Sequence, residues 1–146
     1  MKTSVILLLL TMTCAWMGAI GWYVGLVHYP AFRDIQPDRW AAFHASHSMN
    51  TGILVGGPML AQFFLTLMLP FCKDPVLPQW LWIACVVCLA LSFGWTMVVS
   101  GPLHGPLSSA QDIAIINKLI ATNSPRALFW TLEALLAGFG LIQLMK

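Results

Sequence analysis

Four long stretches without Lys, Arg, Asp or Glu constrain this chain more than any other feature of its sequence. The stretches cover residues 3–32, 40–72, 75–111 and, apart from Glu133, 127–145. Each can supply the roughly 20 apolar residues that cross a bilayer as one helix. The sequence therefore predicts an all-α, integral membrane four-helix bundle, with helices at about 4–27, 41–69, 80–100 and 125–145.

The composition excludes the main alternatives to a membrane protein. Of the 146 residues, 59% are hydrophobic and 8% are charged, whereas soluble domains average about 25% charged residues. A chain this apolar is not disordered, because it has ample surface to bury. Its net charge of +2 is too small and dispersed for a nucleic-acid partner. We expect residues 1–146 to form a single transmembrane domain in contact with membrane lipids.

The first apolar stretch and the third loop need separate interpretation. The first apolar stretch is longer than the h-region of a secretory signal, so we expect a retained helix. In the third loop, Ser108 or Ser109 can cap a short helix to about Ala121 whose isoleucines share a face, which predicts an interfacial helix. The Asn-Ser-Pro run ending at Pro125 then predicts the start of the fourth helix.

An even number of crossings puts both termini on one membrane face, together with the second loop. That face carries a lysine near each terminus and one in the loop. The positive-inside rule then favours cytoplasmic termini, although the arginines and the lysine of the opposite face nearly balance the count.

The four histidines are the most informative polar residues. His28 is expected at the end of the first helix, His44 and His47 at the start of the second, and His104 after the third. Chain alternation puts all four on one membrane face, and the three-residue spacing of His44 and His47 lets them share a helix face. Imidazole is a ligand for Zn, Cu and Fe. The alternative is four separate polar side chains at the level of the lipid head groups.

The sequence thus predicts a transition-metal site formed by His28, His44, His47 and His104, or a b-type haem held between two histidines of different helices. At least three imidazoles should converge, with N-to-metal distances of about 2.0 to 2.1 Å for Zn. Because only neutral imidazole binds a metal, affinity should fall below about pH 6.5.

Glu133 is the one carboxyl group predicted inside an apolar span. An ionisable group near the bilayer centre costs on the order of 2.5 to 3.5 kcal/mol, so it normally has a partner or a task. We expect Glu133 to face the bundle interior as the catalytic residue, acting as a metal ligand, as a partner of a ligand or as a proton relay. The alternative is a structural carboxyl group, either neutral and hydrogen-bonded or paired with Arg126.

Several short motifs resemble those of small uncharacterised four-helix bacterial membrane proteins. They are His28-Tyr29-Pro30-Ala31-Phe32, Phe43-His44-Ala45-Ser46-His47, Gly57-Pro58-Met59, Pro102-Leu103-His104-Gly105-Pro106-Leu107, and Asn123-Ser124-Pro125-Arg126 with Trp130. More distantly, the architecture is similar to that of the DUF1772 group, which includes anthrone-oxygenase-like proteins. The resemblance implies a bacterial inner membrane and a redox or oxygenase role, but it supplies no catalytic residues.

The sequence favours two functions over a third, a carrier or metal-handling protein, because few polar residues inside the membrane are available to line a path. The first is a metal or haem protein acting as an oxidoreductase on a lipophilic substrate or quinone. The second is a non-catalytic accessory subunit of a larger membrane complex, since no catalytic nucleophile stands out. The pair Cys85 and Cys88 does not favour thiol redox chemistry, because it is embedded in an apolar helix rather than at a polar, accessible helix start.

Overall fold

The computed structural model describes residues 2–72 and 74–146, which contain helices and no strand. Four helical segments are each long and apolar enough to cross a membrane. They are α1 (Thr3–Asp34), α2 (Pro37–Phe71), α3 (Gln79–Leu107) and α4 (Ile113–Leu144). The predicted all-helical membrane bundle is confirmed, and the chain is an integral membrane protein.

Segments α1 and α3 each contain a π turn, at Val24–His28 and Thr96–Ser100. Pro30 and Pro102 follow these turns at the same distance, two residues after each turn ends. Because proline has no N–H, it removes the α-helical hydrogen bond to the carbonyl four residues earlier, which here lies inside the π turn. Both helices therefore continue past their prolines: α1 into Tyr29–Ala31 and Phe32–Asp34, and α3 into Gly101–Leu107.

Segment α4 corrects the prediction for the third loop. Residues 109–121 do not form a separate interfacial helix, and the fourth helix does not begin at Pro125. Instead, one α-helix runs from Ile113 to Leu144 with Pro125 inside it. Asp112 caps this helix by accepting hydrogen bonds from the backbone N–H groups of Ala114 and Ile115. Near the proline, Trp95 Nε1 donates to the Thr122 carbonyl oxygen at 2.8 Å. This bond joins α3 to α4 about one turn before Pro125.

Segments α1 and α4 pack closely through small residues. A Cβ atom at Gly18 would lie 3.0 Å from Thr131 Oγ1, and one at Gly25 would overlap the Asn123 side chain. This close approach is typical of helices in lipid. By contrast, a Cβ atom at Gly52 would meet nothing within 4 Å, so part of α2 has no close protein neighbour among the described residues.

The interior is divided along the bundle axis into three apolar clusters. The cluster near the chain termini includes Leu7, Leu10 and Cys14. A small central cluster is formed by Met17, Met59 and Trp130. The third cluster lies at the opposite end of the bundle and consists of Val24, Tyr29, Phe32, Trp40, Leu107, Ile116 and Leu119.

Candidate functional site

The four histidines meet at one end of the bundle. His28 ends the π turn of α1, His44 and His47 lie near the start of α2, and His104 lies in the last α-helical part of α3. His104 is thus inside a helical segment, whereas the sequence placed it after the third helix. Three segments nevertheless bring four imidazoles into one layer, as predicted.

The imidazoles form two close pairs. His28 Nε2 lies 2.8 Å from His47 Nδ1, and His104 Nδ1 lies 3.4 Å from His44 Nε2. The pairs touch each other, because the ring centres of His47 and His104 are 5.5 Å apart. The cluster is therefore continuous from α1 through α2 to α3.

Two hydroxyl groups orient this cluster. The Tyr29 hydroxyl is 3.2 Å from His104 Nε2, and Thr51 Oγ1 is 3.1 Å from His47 Nδ1. Hydrogen bonds of this kind fix the tautomer and ring plane of a histidine. Both ring nitrogens of His104 are thus engaged, whereas His47 Nε2 has no hydrogen-bond partner among the described residues.

Aromatic rings separate the histidines from the lipid. Phe32 packs edge-on against His28 and His47, with ring centres 5.2 Å and 4.9 Å away. Trp40 covers His44 at 5.5 Å. His44 and His47 are only 3% and 7% exposed. Separate polar side chains at the level of the head groups therefore do not describe these residues.

The spacing of the nitrogen atoms can be compared with that of metal ligands. Among residues 2–72 and 74–146, no group of three or more His, Cys, Asp or Glu side chains is arranged as a metal site. Two nitrogens about 2.05 Å from a tetrahedral ion are about 3.3 Å apart. The nitrogens of His44 and His104 have this spacing at 3.4 Å, whereas the 2.8 Å between His28 and His47 is a hydrogen-bond distance. The predicted convergence of at least three imidazoles on one ion is therefore not present among the described residues.

A cavity of about 280 Å³ adjoins the histidines. His47, His104 and Tyr29 are among its polar lining residues, and Met59 and Trp130 are among its apolar ones. The site therefore combines ligand-type nitrogens with a lipophilic space, the combination expected of a small-molecule site.

Glu133 lies in a different part of the bundle. It is 0% exposed, in agreement with its predicted inward orientation. Its Oε2 accepts a hydrogen bond from Gln62 Nε2 at 2.5 Å, and its Oε1 accepts one from Thr66 Oγ1 at 2.6 Å. Gln62 and His47 are 15 residues apart along α2, roughly 22 Å along the helix axis. Glu133 is therefore not positioned as a ligand of an ion at the histidines.

One connection links Glu133 to the cavity. Trp130, which lines the cavity, donates from Nε1 to Gln62 Oε1 at 3.0 Å, and Gln62 donates to Glu133. Arg126 does not pair with Glu133 as one alternative predicted, because it donates to Asn123 Oδ1 at 2.7 Å. The carboxyl group is thus held by neutral side chains of α2.

Sequence reasoning did not find three of these residues, Tyr29, Gln62 and Thr66. Gln62 and Thr66 are four residues apart and so share a face of α2. Polar residues at that spacing inside an apolar span are a signal for a buried partner, and this signal could have assigned them to Glu133.

Comparisons of the chain with protein-family models, curated proteins and solved structures give no match.

Proposed function

We propose that this chain is a membrane metalloprotein that binds a transition-metal ion at its histidine cluster, beside a cavity that receives a lipophilic ligand. One observation carries the proposal: four imidazoles from three helical segments form a continuous, largely buried cluster at the end of a cavity. His44 and His104 supply the first two nitrogens at ligand spacing. His47 supplies the third after rotation of its side chain, and His28 is close enough to be the fourth.

The donor set favours a bare ion over a b-type haem. Imidazole nitrogens suit Zn, Cu and Fe. Two axial nitrogens of a haem would be about 4 Å apart with a macrocycle between them, since each N–Fe bond is about 2 Å. The two close nitrogen pairs are 2.8 Å and 3.4 Å apart. The 3.4 Å pair has the spacing of two ligands of one ion, so we propose a bare ion.

The identity of the metal decides the class of reaction. Cu or Fe would support the predicted oxidoreductase activity on a lipophilic substrate or quinone, whereas Zn would act as a Lewis acid. In either case the cavity next to His47 and His104 holds the ligand. Glu133 is outside the coordination sphere, and its role as a proton relay stays a prediction.

Elemental analysis and absorption spectroscopy of the protein purified in mild detergent test this proposal. We expect about one metal ion per chain in the parent protein and loss of that ion in His44→Ala and in His104→Ala. Asn50→Ala is the matched control, because Asn50 is exposed on the same helix and donates only to the neighbouring Ser46. This control should retain the metal.

Protein that stays free of metal after incubation with Zn, Cu and Fe salts would overturn the proposal. Unchanged metal content in both histidine variants would do the same. If metal-free protein also co-purified in a fixed ratio with a larger complex, the accessory-subunit alternative would replace the metalloprotein proposal.

A further inference from the structure

Arg126 is the one formally charged residue among the described residues that line the cavity. One terminal nitrogen of its guanidinium donates to Asn123 Oδ1 at 2.7 Å, and the group lies 5.2 Å from the ring centre of Trp130. Its Nε atom is buried and has no hydrogen-bond partner in the part of the chain that the structure describes. The guanidinium is therefore only partly satisfied by the protein.

Among the residues that the structure describes, no carboxylate forms an ion pair with this guanidinium. Glu133 accepts hydrogen bonds from Gln62 and Thr66. The four aspartates lie in connections between helical segments or at segment ends: Asp34, Asp38, Asp74 and Asp112. Because a guanidinium in an apolar environment is costly without an anion, Arg126 leaves the cavity with an unneutralised positive charge.

The cavity also has an opening on the lipid side. Ser48 and Gly52 line it and are exposed on α2, and Gly101 lines it and is exposed on α3. Beyond its own stretch of helix, a Cβ atom at Gly52 would meet nothing within 4 Å among the described residues. The cavity therefore has exposed lining on both α2 and α3, and this is the side on which we place the chain of a ligand.

We propose that the cavity binds a single-chain anionic amphiphile, a long-chain carboxylate, with its head group on Arg126 and its chain leaving between α2 and α3. The proposal names the ligand class of the site described above and in that sense rests on the proposed function. A carboxylate matches the planar guanidinium and forms charge-assisted hydrogen bonds with it. A volume of about 280 Å³ suits a head group and part of one chain better than a two-chain lipid.

The test measures binding of oleate and of oleyl alcohol, which have the same chain and differ in charge, by native mass spectrometry of the detergent-purified protein. We expect the parent protein to prefer oleate by about tenfold or more, which is about 1.4 kcal/mol. Arg126→Gln should remove the preference, and Arg126→Lys should retain part of it because the charge remains. Arg39→Gln is the control, since Arg39 is exposed and does not line the cavity.

Equal binding of oleate and oleyl alcohol to the parent protein would overturn the proposal, even if a variant failed to fold. An unchanged preference in folded Arg126→Gln would also overturn it. Displacement of oleate by an equal concentration of dioleoyl phosphatidate would show that the anion is the phosphate of a two-chain lipid, and this too would reject the proposal.

The same measurements on chelator-treated protein separate this proposal from that of a metal site. Oleate selectivity in protein that never binds metal supports the carboxylate site and leaves only the metal proposal in error. Metal binding without oleate selectivity supports the metal site and leaves only the carboxylate proposal in error. The two failures are therefore distinguishable.

Discussion

His28 and His47 connect α1 to α2 by a direct contact between imidazoles, with Nε2 of the first 2.8 Å from Nδ1 of the second. One nitrogen must donate and the other accept, so the accepting ring is neutral. Neutral imidazole is also the form that binds a metal. The same contact thus holds two helices together, and the accepting ring must break it before its one lone pair can bind an ion.

We expect His47→Ala to lower stability more than His28→Ala. His47 contacts His28 and Thr51 and is 7% exposed, whereas His28 is only half-buried. Leaving buried partners unsatisfied costs about 1 to 3 kcal/mol. The apparent melting temperatures of both variants in one detergent measure the difference. A larger decrease for His28→Ala would contradict the central position of His47.

Tyr29→Phe tests whether the hydroxyl group supports the cluster through His104. The substitution removes the 3.2 Å contact with His104 Nε2 but keeps the ring that packs on Phe32 at 5.4 Å. Loss of a hydrogen bond to a metal-binding histidine typically lowers metal affinity about 10- to 100-fold. We expect that loss in a metal titration, together with a decrease in melting temperature that corresponds to the loss of one hydrogen bond, about 1 kcal/mol.

Tyr23→Phe is the control for this substitution, because Tyr23 is exposed and also stacks on a histidine, His28, at a ring-centre distance of 6.2 Å. The control should bind metal like the parent protein. Equal affinities of Tyr29→Phe and the parent protein would show that the Tyr29 hydroxyl does not orient a ligand.

Those parts of the fold that depend on the spacing of charges or on chain alternation were predictable from the sequence. Gaps between charges set the number of helices, and chain alternation put His28, His44, His47 and His104 on one side. The continuity of α4 was not predictable, since Pro125 lies inside it and a proline is tolerated in a transmembrane helix only through its surroundings. The local sequence around Pro125 contains no information about those surroundings.

The candidate site was predictable in its residues but not in the contacts between them. The residues that form the cluster follow from topology, but the nitrogen atoms that face one another depend on side-chain rotamers and on Tyr29 and Thr51. The alternative of an ion pair between Arg126 and Glu133 was wrong for a geometric reason. Seven residues separate them on one helix, about 10 Å along its axis, and each has nearer partners.

Substitution by alanine should affect stability differently at Gly25 and at Gly52. A Cβ atom at Gly25 would overlap the Asn123 side chain, whereas one at Gly52 would meet nothing within 4 Å. Overpacking costs about 1 to 3 kcal/mol, and alanine in an open helix position is favoured over glycine by up to about 1 kcal/mol. We expect Gly25→Ala to lower the melting temperature and Gly52→Ala to leave it unchanged or raise it. The reverse order would show that α1 and α4 do not pack as described.

Substitutions of Glu133 separate its structural role from a chemical one. The carboxyl group accepts hydrogen bonds from both Gln62 and Thr66. Glu133→Gln keeps the shape and one acceptor oxygen, so we expect a loss of about 1 kcal/mol. Glu133→Leu leaves both donors buried without that acceptor, and each costs about 1 to 3 kcal/mol. Melting temperatures of the two variants measure these losses.

Metal content provides the second measurement for the same two variants. Because Glu133 bonds to Gln62 and Thr66 and lies far from the histidines along the bundle, both variants should retain the ion for as long as they stay folded. Leu135→Ala, at an exposed position of the same helix, controls for general effects of substitution in α4. Loss of bound metal in Glu133→Gln at an unchanged melting temperature would contradict this expectation and would show that Glu133 acts on the metal site from a distance.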